Sequence, residues 1–244
     1  MIWRFDIHEA LASTSDFCRG RAEAGDDQGL VVLAKEQSAA RGSRGRSWTT
    51  GKGNLAFSFV CRIPENSTFL QALPFLTAVA LYEGMTACLP ASFSTEKHFT
   101  LKWPNDLLLH QCKMAGILIE TGHNETHQWA VIGIGANLKN APKLPDRRLA
   151  CFADLATPPD AEECARKIIH SFDKWKKEWE EKGSSVVHQA WLSYAHPIGT
   201  RLAVQGRDTY KTGMFSGLDA QGHLLLTLDN GDVLPVVTGD ILCE

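Results

Sequence analysis

Apolar residues along this chain change their period several times. Residues 30–33 (Leu-Val-Val-Leu) and 55–60 are short apolar runs, and in the second Leu55, Phe57 and Phe59 alternate to one face, as strands do. From 69 to 89 the spacing lengthens. Leu73, Leu76, Val79 and Ala80 recur at helical intervals and predict a helix with Pro74 near its first turn. Short runs return at 99–101, 107–109, 114–120 and 129–134, which predict strands. Residues 161–182 then place Ala165, Ile168, Ile169, Phe172, Trp175 and Trp179 on one face of an amphipathic helix, and 184–194 reads as a shorter one. Beyond Pro197 the pattern breaks into short strands at 200–204, 210–218, 224–228 and 233–237. Gly-rich turns such as Asp229-Asn230-Gly231-Asp232 separate them.

This order predicts an α+β fold. A mixed, mainly antiparallel sheet is expected, built from hairpins and not from repeated strand-helix-strand units, with helices and then a small C-terminal β-barrel. The change in character near residue 196 predicts two domains, 1–196 and 197–244. Ser13, Thr14 and Asp16 ahead of Phe17 read as a helix start with a hydroxyl cap. The Pro-rich, polar stretch 141–160 reads as a surface loop.

Composition narrows the function classes. The formal net charge of -3 argues against a nucleic-acid binder, and no apolar run approaches a membrane span. The N-terminal residues lack the basic start and long apolar core of a signal peptide, so a cytoplasmic protein is expected. The seven cysteines include no Cys-x-x-Cys pair, which argues against a zinc site or disulfide framework.

Four runs carry candidate chemistry. Between the strands at 30–33 and 55–60 lies Gln37-Ser38-Ala39-Ala40-Arg41-Gly42-Ser43-Arg44-Gly45-Arg46-Ser47-Trp48. With three arginines, two glycines and no bulky apolar residue before Trp48, this segment cannot bury itself. It can bend closely around an anion, though a solvated basic linker reads equally well. Lys102-Trp103-Pro104-Asn105-Asp106 ends a strand sharply and presents two oxygen-bearing side chains, as a magnesium site or an ordinary turn would. Lys113-Met114-Ala115-Gly116 places an ammonium at the mouth of a strand, beside a glycine, where it could face a phosphate, though a solvated lysine opening a hairpin strand is the plainer reading. Gly133-Ile134-Gly135-Ala136-Asn137-Leu138 lacks the third glycine of a dinucleotide fingerprint. Its small residues would let a ligand approach the backbone, with Asn137 at hand to pair with it. His123 and His127 lie in a polar turn and read as a solvated hairpin.

Together and in this order, these runs resemble biotin protein ligases, from the Ser13-Thr14 region to the C-terminal barrel. The resemblance implies the fold shared with lipoate ligases and class II aminoacyl-tRNA synthetases, followed by an SH3-like barrel. It implies ATP-dependent activation of biotin to biotinyl-5'-AMP and transfer to a lysine of a biotin carboxyl carrier protein domain. Lys113 and Arg41 would be catalytic. Ser13, Thr14, Gln37, Arg41, Gly42, Lys113 and Gly116 would bind biotin. Arg44, Arg46, Trp48, Lys102, Asn105 and Asn137 would bind ATP or the adenylate, and Asn105 and Asp106 would handle Mg2+. Ser43 departs from the family's run of arginines, which implies weaker ordering of the loop around the adenylate. The helix-turn-helix segment of the family's repressor members is not seen, so operator binding is not expected. Two other readings remain open, a lipoate or octanoate ligase or transferase of the same fold and a non-catalytic biotin-binding module. A homodimer is an allowed assembly.

Overall fold

The structure is a computed structural model that describes residues 2–26, 29–65, 68–93, 97–144, 148–206 and 210–243. Its larger sheet has seven strands in the order β1-β2-β3-β7-β6-β5-β4. β1 (Arg4–Leu11) runs parallel to β2 (Leu30–Gln37), and α1 (Thr14–Glu23) crosses between them. All other neighbours are antiparallel: β3 (Leu55–Arg62), β4 (Phe99–Lys102), β5 (Asp106–Leu109), β6 (Cys112–His123) and β7 (Gln128–Ala136). The hairpin expectation holds for β4 to β7 and misses the strand-helix-strand unit at the N-terminus. β1 is an edge strand with no fully buried residue, so it carries no apolar run to read.

Alternation along the strands fills the two faces of the sheet differently. Phe57, Phe59, Ile132 and Ile134 point into the main core under α2 (Phe69–Thr86), α3 (Ala161–Lys182) and α4 (Ser184–Tyr194). Val32, Val60, Trp129 and Val131 point the other way, under Cys18 and Ala22 of α1. Burial there pushes the Cys18 thiol up, and on the opposite face it pushes the Cys61 thiol up to about 12. Both are packing residues at neutral pH.

α2 and α3 cross closely at Gly84, where an added Cβ would stand 2.8 Å from the Ile168 Cα. Gly84→Ala should therefore force the helices apart and cost about 1–3 kcal/mol. That corresponds to a fall of roughly 2–10 °C in Tm; a Tm equal to the wild type would show that the crossing gives way freely. Pro74 lies in the second turn of α2, one turn later than expected. Asp160 caps α3 by accepting hydrogen bonds from the Glu162 and Glu163 amides at 2.9 and 3.2 Å.

The stretch expected as a surface loop at 141–160 is partly internal. Ala150, Cys151 and Phe152 are buried, and Leu149 bridges to Lys113 of β6. Phe152 supplies the apolar anchor, and residues 145–147 of that stretch lie outside the described residues. The turn after β6 is the expected polar hairpin, with Asn124 Oδ1 accepting from the Thr126 and His127 amides at 3.0 Å.

The C-terminal strands β8 (Arg201–Gln205), β9 (Tyr210–Leu218), β10 (Leu224–Thr227), β11 (Val233–Val236) and β12 (Asp240–Cys243) form one antiparallel sheet in the order β11-β10-β9-β8-β12. Among the described residues its pairings run as an open series, with β11 and β12 at the two edges. Trp103 Nε1 donates to the Gly222 carbonyl at 3.3 Å and ties this sheet to the larger one. No described helix is long and apolar enough to cross a membrane.

Two buried histidines lie near this junction. Burial pushes His188 and His196 below the ordinary imidazole value, opposed at His188 by Asp219 and reinforced at His196 by Lys102. The unfolded chain takes up protons that the folded chain refuses, so stability should fall as pH drops below about 6.5. Thermal unfolding at pH 7.5 and pH 5.5 reads this directly. An equal Tm at both would mean that the imidazoles protonate without cost.

Candidate active site

The face of the sheet that carries α1 is only half filled. Where alternation along β3, β7 and β6 would normally supply bulk, the chain supplies small residues. Ser58 of β3 pairs with Gly133 of β7, and Ala56 pairs with Gly135, which pairs in turn with Gly116 of β6. A Cβ on Gly133 would stand 2.6 Å from Ser15 Oγ, and one on Gly135 would stand 2.5 Å from the Trp48 indole. The missing side chains let Ser15 and Trp48 close on the main chain, and a hollow of about 50 Å³ lies between the sheet, the start of α1 and the basic loop.

Hydroxyls make its floor. Ser13 caps α1, its Oγ accepting from the Asp16 amide at 3.3 Å, and so turns the next two residues toward the sheet. Thr14 Oγ1 lies 2.8 Å from Ser58 Oγ, and Ser15 Oγ lies 3.0 Å from the same atom. Gln37 Oε1 accepts from the Thr14 amide at 2.8 Å and from its hydroxyl at 3.2 Å, while Gln37 Nε2 donates to Thr50 Oγ1 at 3.0 Å. Ser13, Thr14, Ser15 and Ser58 are all buried. Their hydrogen-bonding capacity therefore faces the hollow or one another, not bulk water.

A second hollow, of about 330 Å³, adjoins the first and is lined in part by Arg46, Thr49, Asn137, Leu144 and Leu149. Gly42, Ser43, Trp48 and Lys113 line both. Lys113 Nζ lies 2.5 Å from Asp106 Oδ1 and 5.6 Å from the Trp48 ring centroid. Its ammonium therefore stands at the boundary between the hollows, neutralised by a single carboxylate. Trp48 forms the wall beside it.

The arginines are engaged differently from the sequence expectation. Arg41 lines the first hollow, but its guanidinium donates to both oxygens of Glu120 at 2.7 and 2.6 Å and to Asp16 at 2.8 Å. Glu120 and then Asp16 hold that charge more firmly than usual against the opposing effect of burial. Arg46 lines the second hollow, yet both it and Arg44 reach Asp240 of β12. Arg41 and Lys113 line the same hollow, while the guanidinium itself fastens the loop.

Asn105 lines the first hollow and is fixed to β6, its Nδ2 donating to the Ile117 carbonyl at 2.7 Å. Asp106 reaches the hollows through Lys113, and Lys102, its partner across the β4–β5 turn, lines neither. Asn137 is nearly inaccessible and knots the 141–160 stretch to the sheet, its Nδ2 donating to the Ala150 carbonyl at 3.1 Å. Among the described residues no three His, Cys, Asp or Glu side chains gather as a metal cluster. Asn105 Oδ1 and the Asp106 carboxylate suit a hard cation that arrives with its own phosphate oxygens, as Mg2+ does, and are too few for a resident metal.

Sequence reasoning missed Ser15, Ser58, Asp16, Glu120 and Asp240. Ser58 carried a signal, being the polar residue inside an otherwise apolar strand.

The profile of the "Biotin/lipoate A/B protein ligase family" matches residues 9–137, the segment that contributes most of both hollows. A "Biotin--[acetyl-CoA-carboxylase] ligase" of Paracoccus denitrificans is 34% identical over 208 residues, covering 80% of this chain and 82% of that protein. The biotin protein ligase of Aquifex aeolicus in complex with biotin and ATP superposes with a TM-score of 0.79 at 24% identity, over 98% of each chain. The Leishmania major biotin protein ligase in complex with biotinyl-5-AMP superposes with a TM-score of 0.68 at 27% identity, over 96% of this chain and 98% of that one. With the matched segment spanning more than half its length, the chain belongs to the biotin/lipoate A/B protein ligase family.

Proposed function

We propose that this chain condenses biotin with ATP to give biotinyl-5'-AMP and pyrophosphate, and then passes the biotinyl group to a lysine of a biotin carboxyl carrier domain. The observation that carries the choice of acid is the hydroxyl floor. A urea ring offers two N–H donors and a carbonyl acceptor, and Ser13, Thr14, Ser15, Gln37 and Ser58 supply partners for them. A lipoyl or octanoyl chain would press hydrocarbon or sulfur onto these groups, at a cost of about 1–3 kcal/mol for each polar group left unpaired.

The first hollow takes the ring, the second takes the nucleotide, and the acid's carboxylate meets the α-phosphate at the boundary between them. Lys113 stands at that boundary. The attacking carboxylate and the phosphate oxygens carry like charge, and the ammonium offsets their repulsion most where charge gathers on the phosphoryl oxygens. Asp106 keeps Lys113 aimed. A Mg2+ ion held by Asn105 and Asp106 would neutralise the phosphate chain when bound. Trp48 and the 37–48 loop cover the mixed anhydride and keep water from it. An acceptor lysine then attacks the acyl carbon, and AMP leaves. The second, nucleotide-sized hollow sharing Lys113 argues against a biotin-binding module without chemistry. The six described free thiols suit a reducing compartment, and the cytoplasm is the place we assign.

Mass spectrometry of the protein incubated with ATP, Mg2+ and biotin, lipoate or octanoate tests the reading. The acyl-adenylate should form with biotin. Formation with only lipoate or octanoate would overturn the choice of acid, and an inert mixture would overturn the reaction.

A further inference from the structure

The basic loop is fastened at two separate places. Its start is held by Arg41 on Glu120 of β6 and Asp16 of α1. Its crown is held by the C-terminal sheet. There the three-residue turn Ser43–Gly45 puts Arg44 at a φ of 59°, a left-handed conformation that side chains other than glycine seldom adopt. Arg44 Nη1 lies 3.1 Å from Asp240 Oδ2, and its Nη2 donates to Thr238 Oγ1 at 3.2 Å. Arg46 Nη2 donates to Asp240 Oδ1 at 3.3 Å. One carboxylate thus takes a guanidinium on each oxygen. Arg46 also donates to the carbonyl and the hydroxyl of Ser43 at 3.3 and 3.2 Å, and Ser43 lines both hollows. The line of contact runs without a gap from the first residue of β12, through Arg46 and Ser43, to the site.

We infer that Asp240 is a positioning residue, a latch on the C-terminal sheet that holds the crown of the loop closed and so sets how long the acyl-adenylate is retained. Retention of that intermediate rests on the function proposed above, whereas closure of the loop does not. Arg44, Arg46 and Asp240 are each two-fifths to one-half exposed, so the pairs are individually weak and screened by salt. A weak latch is what the second half-reaction needs, because an acceptor lysine must reach the anhydride on every turnover. The strained backbone at Arg44 gives the crown a reason to spring when the carboxylate is removed.

The loop's own arginines are trypsin sites, which gives a readout independent of catalysis. Compared with the wild type, ligand-free Asp240→Asn should be nicked after Arg41, Arg44 or Arg46 about three- to tenfold faster, while Asp240→Glu stays close to wild type. Preformed biotinyl-adenylate should escape into a trap faster from Asp240→Asn by a similar factor, with the rate of the first chemical step little changed. Equal nicking of Asp240→Asn and wild type, at matched Tm, would overturn the latch. Faster nicking with unchanged escape would overturn its role in retention. If even the wild type forms no adenylate, the reaction assignment fails and the nicking rates still decide whether Asp240 closes the loop.

Discussion

Lys113→Ala should lose most adenylate formation while keeping its fold. The side chain is partly exposed, and its backbone contributes to β6 through hydrogen bonds that alanine retains. What disappears is the ammonium at the boundary of the two hollows. Removing a charge aimed at a developing oxyanion in a sheltered site costs about 10²- to 10³-fold in rate, or roughly 3–4 kcal/mol. The loss should fall mainly on kcat for biotin-dependent pyrophosphate release, with Tm within a few degrees of wild type. Lys113→Arg should not restore the rate, because the wide planar guanidinium cannot occupy the space between Asp106 and the Trp48 ring. Pyrophosphate release at the wild-type rate from Lys113→Ala would refute the mechanism.

Ser58→Val should have the second largest effect, on binding and not on chemistry. Ser58 has no solvent exposure and is the common partner of Thr14 and Ser15. Valine deletes both contacts and sets methyl groups into a hollow of only about 50 Å³. Thr14 keeps Gln37, but Ser15 is left without its hydroxyl neighbour. Affinity for biotin measured calorimetrically without ATP should fall about 100-fold or more. Sites built to pair a ligand's polar atoms discriminate by at least that much when the pairing is lost. A Kd within twofold of wild type would place the ring elsewhere. The same variant should narrow the gap between biotin and octanoate, since an apolar floor no longer penalises a hydrocarbon chain.

Most of the fold was legible because most elements carry a period. α3 was read with the bounds the structure shows, since its apolar face is continuous from Ala165 to Trp179. β3 to β7 were read from runs that are buried on at least one side. β1 was not, because it is an edge strand with no fully buried residue and no continuous apolar run, and β12 was not, its apolar run being only Ile241-Leu242-Cys243. The internal anchor at Phe152 was hidden by the prolines and charges around it. Around the hollows, Lys113 and Arg41 carried local signals, a strand mouth and a glycine-rich run, whereas Ser13 and Thr14 read locally as a helix cap and entered the site only through the resemblance. The carboxylates that decide what the arginines do were not found. Glu120 is 79 residues from Arg41, Asp16 is 25 away, and Asp240 is 194 from Arg46. Sequence pattern names the cations, and only tertiary structure names their counter-ions. That is why the arginines at 41, 44 and 46 read from the sequence as a loop for an anion and are engaged in the structure by carboxylates.

The glycines at 116, 133 and 135 carry a constraint of their own. Along that stripe Ser15, Lys113 and Trp48 close directly on main chain, so the glycines themselves have no side chain to be trimmed. Substitution can raise the bed of the cleft by a methyl at a time and can never lower it. Variants that admit bulkier acids must therefore gain their room from the opposite wall, at Trp48 and the loop that bears it.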